Sequence, residues 1–292
     1  VIYDVRHITT YGYSRQVPFA RCILRLEPRN DGGQSVVSSE LSVTPRPAER
    51  SDGSCFFGNR MTTLTISKPH RELKVEMRAR VEVRRPPAPF PGLTRRWEEV
   101  GALALASASL APESPAHHLH PSRLVPVVAA VTDYARASFS PRRPVLEAAA
   151  ELMGRIRREF TYDPEATEVS TPLEEAFRER HGVCQDFAHV MIAGLRGLGL
   201  PAAYVSGYIR TIPPPGEKRL EGADASHAWV MIWCGPETGW IGLDPTNDLI
   251  VADDHIVTAL GRDYADVSPL DGVVIGAGSQ KIGIAVDVIP VI

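Results

Sequence analysis

The sequence predicts an α+β protein: an N-terminal antiparallel β-sandwich-like domain, then a core in which a buried helix packs on an antiparallel sheet. Three observations carry that reading. Residues 1 to about 85 are short β-type segments separated by turn signals, with no helical pattern between them. Residues 144–160 and 184–198 place apolar side chains at three- and four-residue spacing. The chain then returns to strand patterns over 202–212, 226–234 and 239–244, punctuated by Gly and Pro.

At 292 residues the chain can bury a sizeable core in two domains or one large one. A composition of 43% hydrophobic and 23% charged residues argues against disorder and membrane classes. The net charge of −3 leaves no electrostatic footprint for nucleic acid. No apolar run reaches membrane-spanning length, so no membrane partner is expected. The four cysteines, Cys22, Cys55, Cys184 and Cys234, form neither a disulfide framework nor a C-x-x-C pair, which makes a reducing, cytoplasmic setting the default. No metal or other cofactor is expected. His117, His118 and His120 have no nearby cysteine and lie in a Pro-rich stretch that reads as solvated. Asp253, Asp254, Asp263 and Asp266 lack calcium-loop spacing and read as turn and surface acids.

In the β region (residues 1–90) the clearest strand is Arg71 to Val83, where the apolar residues take every odd position and charges of both signs the even ones. Arg84 to Gly92 is too rich in proline to continue a central strand, and residues 91–120 read as a linker without a clear period. The core is expected over 121–292, including a final strand from Ile282 to Val291. A first helix is predicted over 121–139 with Pro126 in its first turn, and a second over 144–160 opened by Pro144. A short helix follows, with Thr171 and Glu174 spaced as a capping box. Its basic end runs into His181-Gly182-Val183-Cys184. Gly182 lets the backbone turn, and Phe187, Val190, Met191, Gly194, Leu195 and Leu198 then mark a buried helix. Pro213 to Gly222 reads as a polar, proline-stiffened loop.

Cys184 therefore opens a helix, where the positive end of the dipole favours a thiolate over a thiol. By itself it also fits a small core residue. His227 starts one strand and Asp244 ends the next, so an antiparallel hairpin makes neighbours of side chains seventeen residues apart. Each has an ordinary reading too: a backbone-bonded histidine, and an aspartate capping the turn at Pro245-Thr246-Asn247-Asp248. Together they supply nucleophile, base and orienter for thiol acyl transfer. The thiolate attacks an amide carbonyl, His227 protonates the leaving amine, and Asp244 accepts the far ring N–H. The Cys184 N–H and a second donor would hold the oxyanion. Tyr162, just upstream, and Gln185 are the candidates for that donor.

The runs Gly-Val-Cys-Gln-Asp-Phe-Ala (182–188), Ala-Ala-Tyr-Val-Ser-Gly-Tyr (202–208), Ser-His-Ala-Trp-Val (226–230) and Gly-Trp-Ile-Gly-Leu-Asp-Pro-Thr-Asn (239–247) resemble the bacterial transglutaminase-like superfamily. The resemblance extends to His7, Thr9, Tyr11 and Tyr13, to Leu24–Pro28, to Phe57-Gly58-Asn59, and to Gly261–Pro269 after the acid. It implies a papain-type core with Cys184 as nucleophile, His227 as base and Asp244 as acid, preceded by a β-rich N-terminal region. Many members carry Glu two residues after the tryptophan of the histidine motif, where this chain has Met231, which implies a different substrate.

Such cores include crosslinking acyltransferases, peptide and amide hydrolases, and members without activity. Crosslinking needs a dry tunnel in which an amine outcompetes water. Trp229 and Trp233 could line one or bind substrate there, although strand tryptophans are more often core. The expected function is thus a cysteine peptidase or amidase acting on a peptide or protein amide. The alternatives are a protein-glutamine gamma-glutamyltransferase, or a non-catalytic peptide-binding module, which would have no reason to keep all three groups.

Overall fold

The structure, a computed structural model, describes residues 1–163, 171–211, 225–276 and 278–291. The predicted loop Pro213 to Gly222 lies outside them. The β region contains β1 (Ile2–Val17), β2 (Phe19–Leu24), β3 (Gln34–Thr44), β4 (Glu49–Ser54), β5 (Arg60–Ile66) and β6 (His70–Val83). The middle of the chain forms α1 (Trp97–Leu105), α2 (Ala129–Arg136), α3 (Val145–Glu159), β7 (Thr161–Tyr162), α4 (Leu173–Glu179), β8 (His181–Gly182) and α5 (Cys184–Gly197). There follow β9 (Ala202–Ile209), β10 (Ala225–Trp233), β11 (Trp240–Asp244), β12 (Leu249–Ile250), β13 (His255–Gly261), α6 (Tyr264–Val267), β14 (Leu270–Ile275) and β15 (Gln280–Val291).

The alternation read in Arg71 to Val83 is realised in β6, where Leu73, Val75, Met77, Ala79, Val81 and Val83 are all buried. They meet Leu24, Leu64 and Ile66 from a second sheet, so the region is a sandwich with one apolar interior. The sheets have strand orders β15-β1-β6-β3 and β14-β2-β5-β4, and every pairing is antiparallel. One strand of each sheet comes from the end of the chain. The final strand, expected with the 121–292 core, instead pairs with β1 from Ile2↔Val291 to Tyr13↔Gln280, and β14 pairs with β2. A period-two pattern specifies which face of a strand is buried but not which strand lies beside it.

In the second half the sheet order is β12-β11-β10-β9-β13, again antiparallel. Helix α5 lies on one face, where Phe187, Met191 and Leu195 share a core with Tyr204, Val230 and Leu243. The sandwich core takes in Tyr208, from the same row of β9 side chains as Tyr204, and Ile256 of β13, and β9 is buried from Ala202 to Tyr208. Both alternating sets of residues in β9 are apolar or aromatic except for Ser206.

Four expectations between residues 91 and 172 require correction. The stretch 91–120 is not a free linker: it holds α1, buries Val100 and Ala104, and is strapped to the core by Trp240 Nε1 donating to the Glu113 carbonyl at 2.9 Å. His118 is fully buried rather than solvated, packed against Phe57 and Trp240, and burial lowers its pKa to about 3. The helix expected over 121–139 spans only Ala129–Arg136, because Pro126 disfavours helical backbone at Val125 and Val128 is still extended. Finally, Pro172 rather than Thr171 caps α4, with no side-chain cap bond. Helix α3 begins directly after Pro144, as predicted.

Two amide side chains dock the sandwich on the sheet edge. The Gln34 amide donates to the Val257 carbonyl at 2.9 Å and accepts from its N–H at 2.8 Å. Asn59 repeats the pattern on Leu260, donating at 2.7 Å and accepting at 2.8 Å. Each amide supplies one donor and one acceptor, as a neighbouring strand would, and so satisfies the free edge of β13. Tyr208 adds a third tie: its hydroxyl donates to the Leu26 carbonyl at 3.0 Å and faces His7 Nδ1 at 3.0 Å. Truncating either amide strands a buried N–H and C=O on β13. Gln34→Ala and Asn59→Ala should each lower the unfolding free energy by about 1–3 kcal/mol, read from urea denaturation midpoints.

Candidate active site

Helix α5 begins at Cys184, so the Cys184 N–H has no partner inside the helix. The entering backbone is tightly constrained. Arg180 adopts a left-handed conformation (φ 56°), and its guanidinium packs over the rings of Tyr134, Phe160 and Phe177 at 4.6, 4.6 and 4.1 Å. Gly182 lies against the Asp186 carboxylate so closely that a Cβ there would sit 2.5 Å from Oδ2. That carboxylate turns back to accept from the Val183 N–H at 2.9 Å, which caps the helix and holds the acid by the backbone.

Strands β10 and β11 bring in the other groups. Val230↔Leu243 is in register, so Asp244 follows at the end of β11 near the start of β10, as the hairpin argument required. His227 Nε2 and Asp244 Oδ2 are 2.8 Å apart, and the His227 ring lies close enough to Cys184 for the sulfur to raise its pKa. His227 is 8% exposed and Asp244 is fully buried, while Cys184 is only partly buried. Asp244 also serves its turn: Oδ1 accepts from the N–H groups of Thr246 at 3.0 Å and Asn247 at 3.2 Å. The ordinary and the chemical readings of this aspartate hold together.

Electrostatics follow from this packing. Burial opposes a charge on His227, but the bond to Asp244, the nearby Cys184 sulfur and the charges of both outweigh it and raise its pKa to about 10. Burial likewise opposes ionisation of Asp244. The bonds from His227 and His255, the imidazolium charge and the Asn247 amide overcome it and hold the carboxyl well below the usual range. The site thus favours an imidazolium beside the sulfur.

The other anticipated residues are placed as follows. Tyr162 pairs with Gly182 through the short parallel β7–β8 ladder, is 52% exposed, and lies close enough to Cys184 for its phenol to feel the sulfur's charge. Gln185, in the first turn of α5, is buried. Trp229 is only 1% exposed, packed with Val205 and Val257 beneath the His227 ring, and has no face for a substrate. Its ring lies over Gly207, where a Cβ would meet Trp229 Cη2 at 2.5 Å and the Ile256 carbonyl at 2.1 Å.

Two participants escaped the sequence reading. Asn247 Nδ2 donates to Asp244 Oδ2 at 2.8 Å, and His255 Nε2 lies 3.2 Å from the same oxygen. Asn247 stood in the predicted turn and could have been suspected. His255 on β13 reaches Asp244 on β11 across β9 and β10, which pattern alone does not reveal. Among the described residues, His227, Asp244 and His255 form a group whose ligand-type atoms lie within 4.8 Å of one another. Their separations are those of hydrogen bonds, with the carboxylate already engaged by donors.

Residues 3–82 match the model of the bacterial transglutaminase-like N-terminal region, and residues 132–245 that of the transglutaminase-like superfamily. An uncharacterized protein of Mycobacterium tuberculosis is 41% identical over 298 residues, covering 99% of this chain and 92% of that one. The chain belongs to the transglutaminase-like superfamily. A protein-glutamine gamma-glutamyltransferase of Pseudomonas aeruginosa is 30% identical over 145 residues, 49% of this chain but 22% of its own length. A solved structure of a proposed cysteine protease from Cytophaga hutchinsonii superposes with a TM-score of 0.77 over 98% of this chain and 89% of that one, at 21% identity, and shares the fold. No helix among the described residues is long and apolar enough to cross a membrane.

Two outcomes are expected. A histidine whose pKa is raised from 6.5 to about 10 contributes stability that is complete below about pH 6.5 and disappears as the pH climbs through about 10. The gap in melting temperature between the wild type and His227→Gln should therefore be widest near pH 5–6 and narrow steadily towards pH 10. Separately, Gly207→Ala should cost about 1–3 kcal/mol by overpacking and displace Trp229, read as a change in tryptophan fluorescence.

Proposed function

We propose that the protein is a thiol-dependent amide hydrolase that acts on peptide or protein amides through a thioester at Cys184. The observation that carries this is the placement of His227 2.8 Å from the buried Asp244 carboxylate and beside Cys184 at the start of α5. The sulfur attacks the carbonyl carbon and forms an S–C bond, with the oxyanion facing the Cys184 N–H and the Tyr162 hydroxyl. His227 gives its proton to the amine nitrogen as the C–N bond breaks. Water, deprotonated by His227, then attacks the thioester, the C–S bond breaks, and the acid product leaves. Asp244 keeps the ring oriented throughout and balances its charge.

Hydrolysis is favoured over amine transfer because a dry acceptor channel needs apolar walls at the sulfur. Trp229 is sealed in the core and Trp233 packs against the helix-side interior. Transamidation is the second reading, supported by the Pseudomonas aeruginosa gamma-glutamyltransferase among the relatives. Met231, where the family often has Glu, is half-buried against Val251 and lines a cavity of about 570 Å³ with Trp240 and Pro86–Pro89.

Mass spectrometry of glutaminyl peptides incubated with the protein, with and without a primary amine, tests the reading. Free-acid product in both incubations is expected; amine-bearing product would replace hydrolysis by transamidation. Cys184→Ala should abolish turnover, and Asp244→Asn should lower it roughly 10²–10⁴-fold. Alkylation of Cys184 at pH 7 should slow at least about 10-fold in His227→Gln. An unchanged rate would point to a peptide-binding module.

A further inference from the structure

Asp244 Oδ2 receives more than the bond from His227. Asn247 Nδ2 is at 2.8 Å and His255 Nε2 at 3.2 Å, so three donors converge on one oxygen of a fully buried carboxylate. An ionised carboxylate only accepts, so the ring nitrogen of His255 that faces it carries a proton. The other ring nitrogen, Nδ1, is buried with no partner among the described residues, and the residue is 2% exposed. A proton on Nδ1 would strand a buried N–H, and with Nε2 bare two lone pairs would face each other at 3.2 Å. The packing therefore places a proton on Nε2, facing the carboxylate.

The fold goes to some length to bring this histidine in. His255 begins β13, which is separated from β10 by β9. On β9, Gly207 stands opposite both His227 and Val257 and has no side chain to block the crossing. Trp229 lies over that glycine and presents its ring to His255 at 5.2 Å between centroids and 74° between planes. The main chain of His255 is held as well, its carbonyl accepting from Arg85 Nη2 at 3.3 Å. A histidine fixed on three sides, with one nitrogen spent on the acid and the other without a partner among the described residues, is poorly explained as filling, because an apolar side chain would cost less to bury.

We propose that His255 is a positioning residue: its Nε2–H holds Oδ2 of Asp244 in the orientation that aligns His227 on Cys184. It rests on the reading of Cys184, His227 and Asp244 as a working thiol site. With Asn247 and the two turn N–H groups, His255 prevents the carboxylate from rotating. It also takes up part of the charge on the oxygen that His227 uses. It touches neither the sulfur nor a substrate, so its effect reaches the reaction only through Asp244.

The wild-type protein labelled with ¹⁵N-histidine provides the first measurement. Two-dimensional proton–nitrogen spectra at neutral pH should show a proton on His255 Nε2; a ring with Nε2 bare and its proton on Nδ1 overturns the proposal. The second measurement is the pH profile of Cys184 alkylation by iodoacetamide in His255→Gln and His255→Leu, with melting temperatures alongside. The glutamine amide can replace the Nε2–H donor, so His255→Gln should stay within about twofold of wild type. His255→Leu should react about 10-fold more slowly at pH 7, with its profile displaced to higher pH. A folded His255→Leu with the wild-type profile sinks the idea, as does a His255→Gln as slow as His227→Gln, which decides the matter if the leucine variant does not fold. An unreactive wild-type thiol would instead defeat the proposed function, which keeps the two failures apart.

Discussion

A carboxylate with no exposure to water organises the second half of this molecule. Asp244 can remain ionised there only because every direction around it offers a donor: two backbone N–H groups on Oδ1, and the side chains of His227, Asn247 and His255 on Oδ2. An ionised group buried without such company would cost far more than the fold can spare. The charge then draws a proton onto His227, and the imidazolium stands beside the sulfur at the start of α5. The pair is asymmetric in exposure, with the acid sealed and the thiol partly open. This geometry suits a group that must meet a substrate while its supports stay dry.

The sandwich does more than precede the core along the chain. Its side-chain amides Gln34 and Asn59 complete the hydrogen bonding of β13, and Tyr208 reaches from β9 to His7 and Leu26. The strand fixed in this way carries His255 at its beginning. The last two strands of the chain return to close one edge of each sandwich sheet. The N-terminal region thus acts as a frame for the sheet edge farthest from the hairpin. Of the residues that carried the family resemblance in this region, Asn59 and His7 take part in this docking.

The buried middle segment shows where pattern reading runs out. Residues 91–120 have no period because they are a nine-residue helix and turns, each contributing one or two apolar contacts. His118 lies in a Pro-rich run that looks solvated, yet Phe57 and Trp240 enclose it from elements distant in the chain. Arg196, at the end of α5, bridges the carbonyls of His118, Ala202 and Arg262 and holds the segment against the core. Apart from Ala202, six residues beyond Arg196, these partners are distant in sequence.

What the residues determined by themselves was local or periodic. The alternation of β6, the stripe of α5, the Cys at a helix start and the hairpin that joins His227 to Asp244 follow from chain stereochemistry over fewer than twenty residues. Burial alternates along β6, α5 begins at Cys184 and is buried on all sides, and β10 pairs antiparallel with β11. Tertiary structure alone decided that β14 and β15 return to the sandwich, that His118 is enclosed, that Trp229 is core, and that His255 crosses a glycine in β9 to reach the acid. The reason is physical: a strand's sequence encodes its faces and turns, while its lateral neighbours are chosen by the packing of the whole chain.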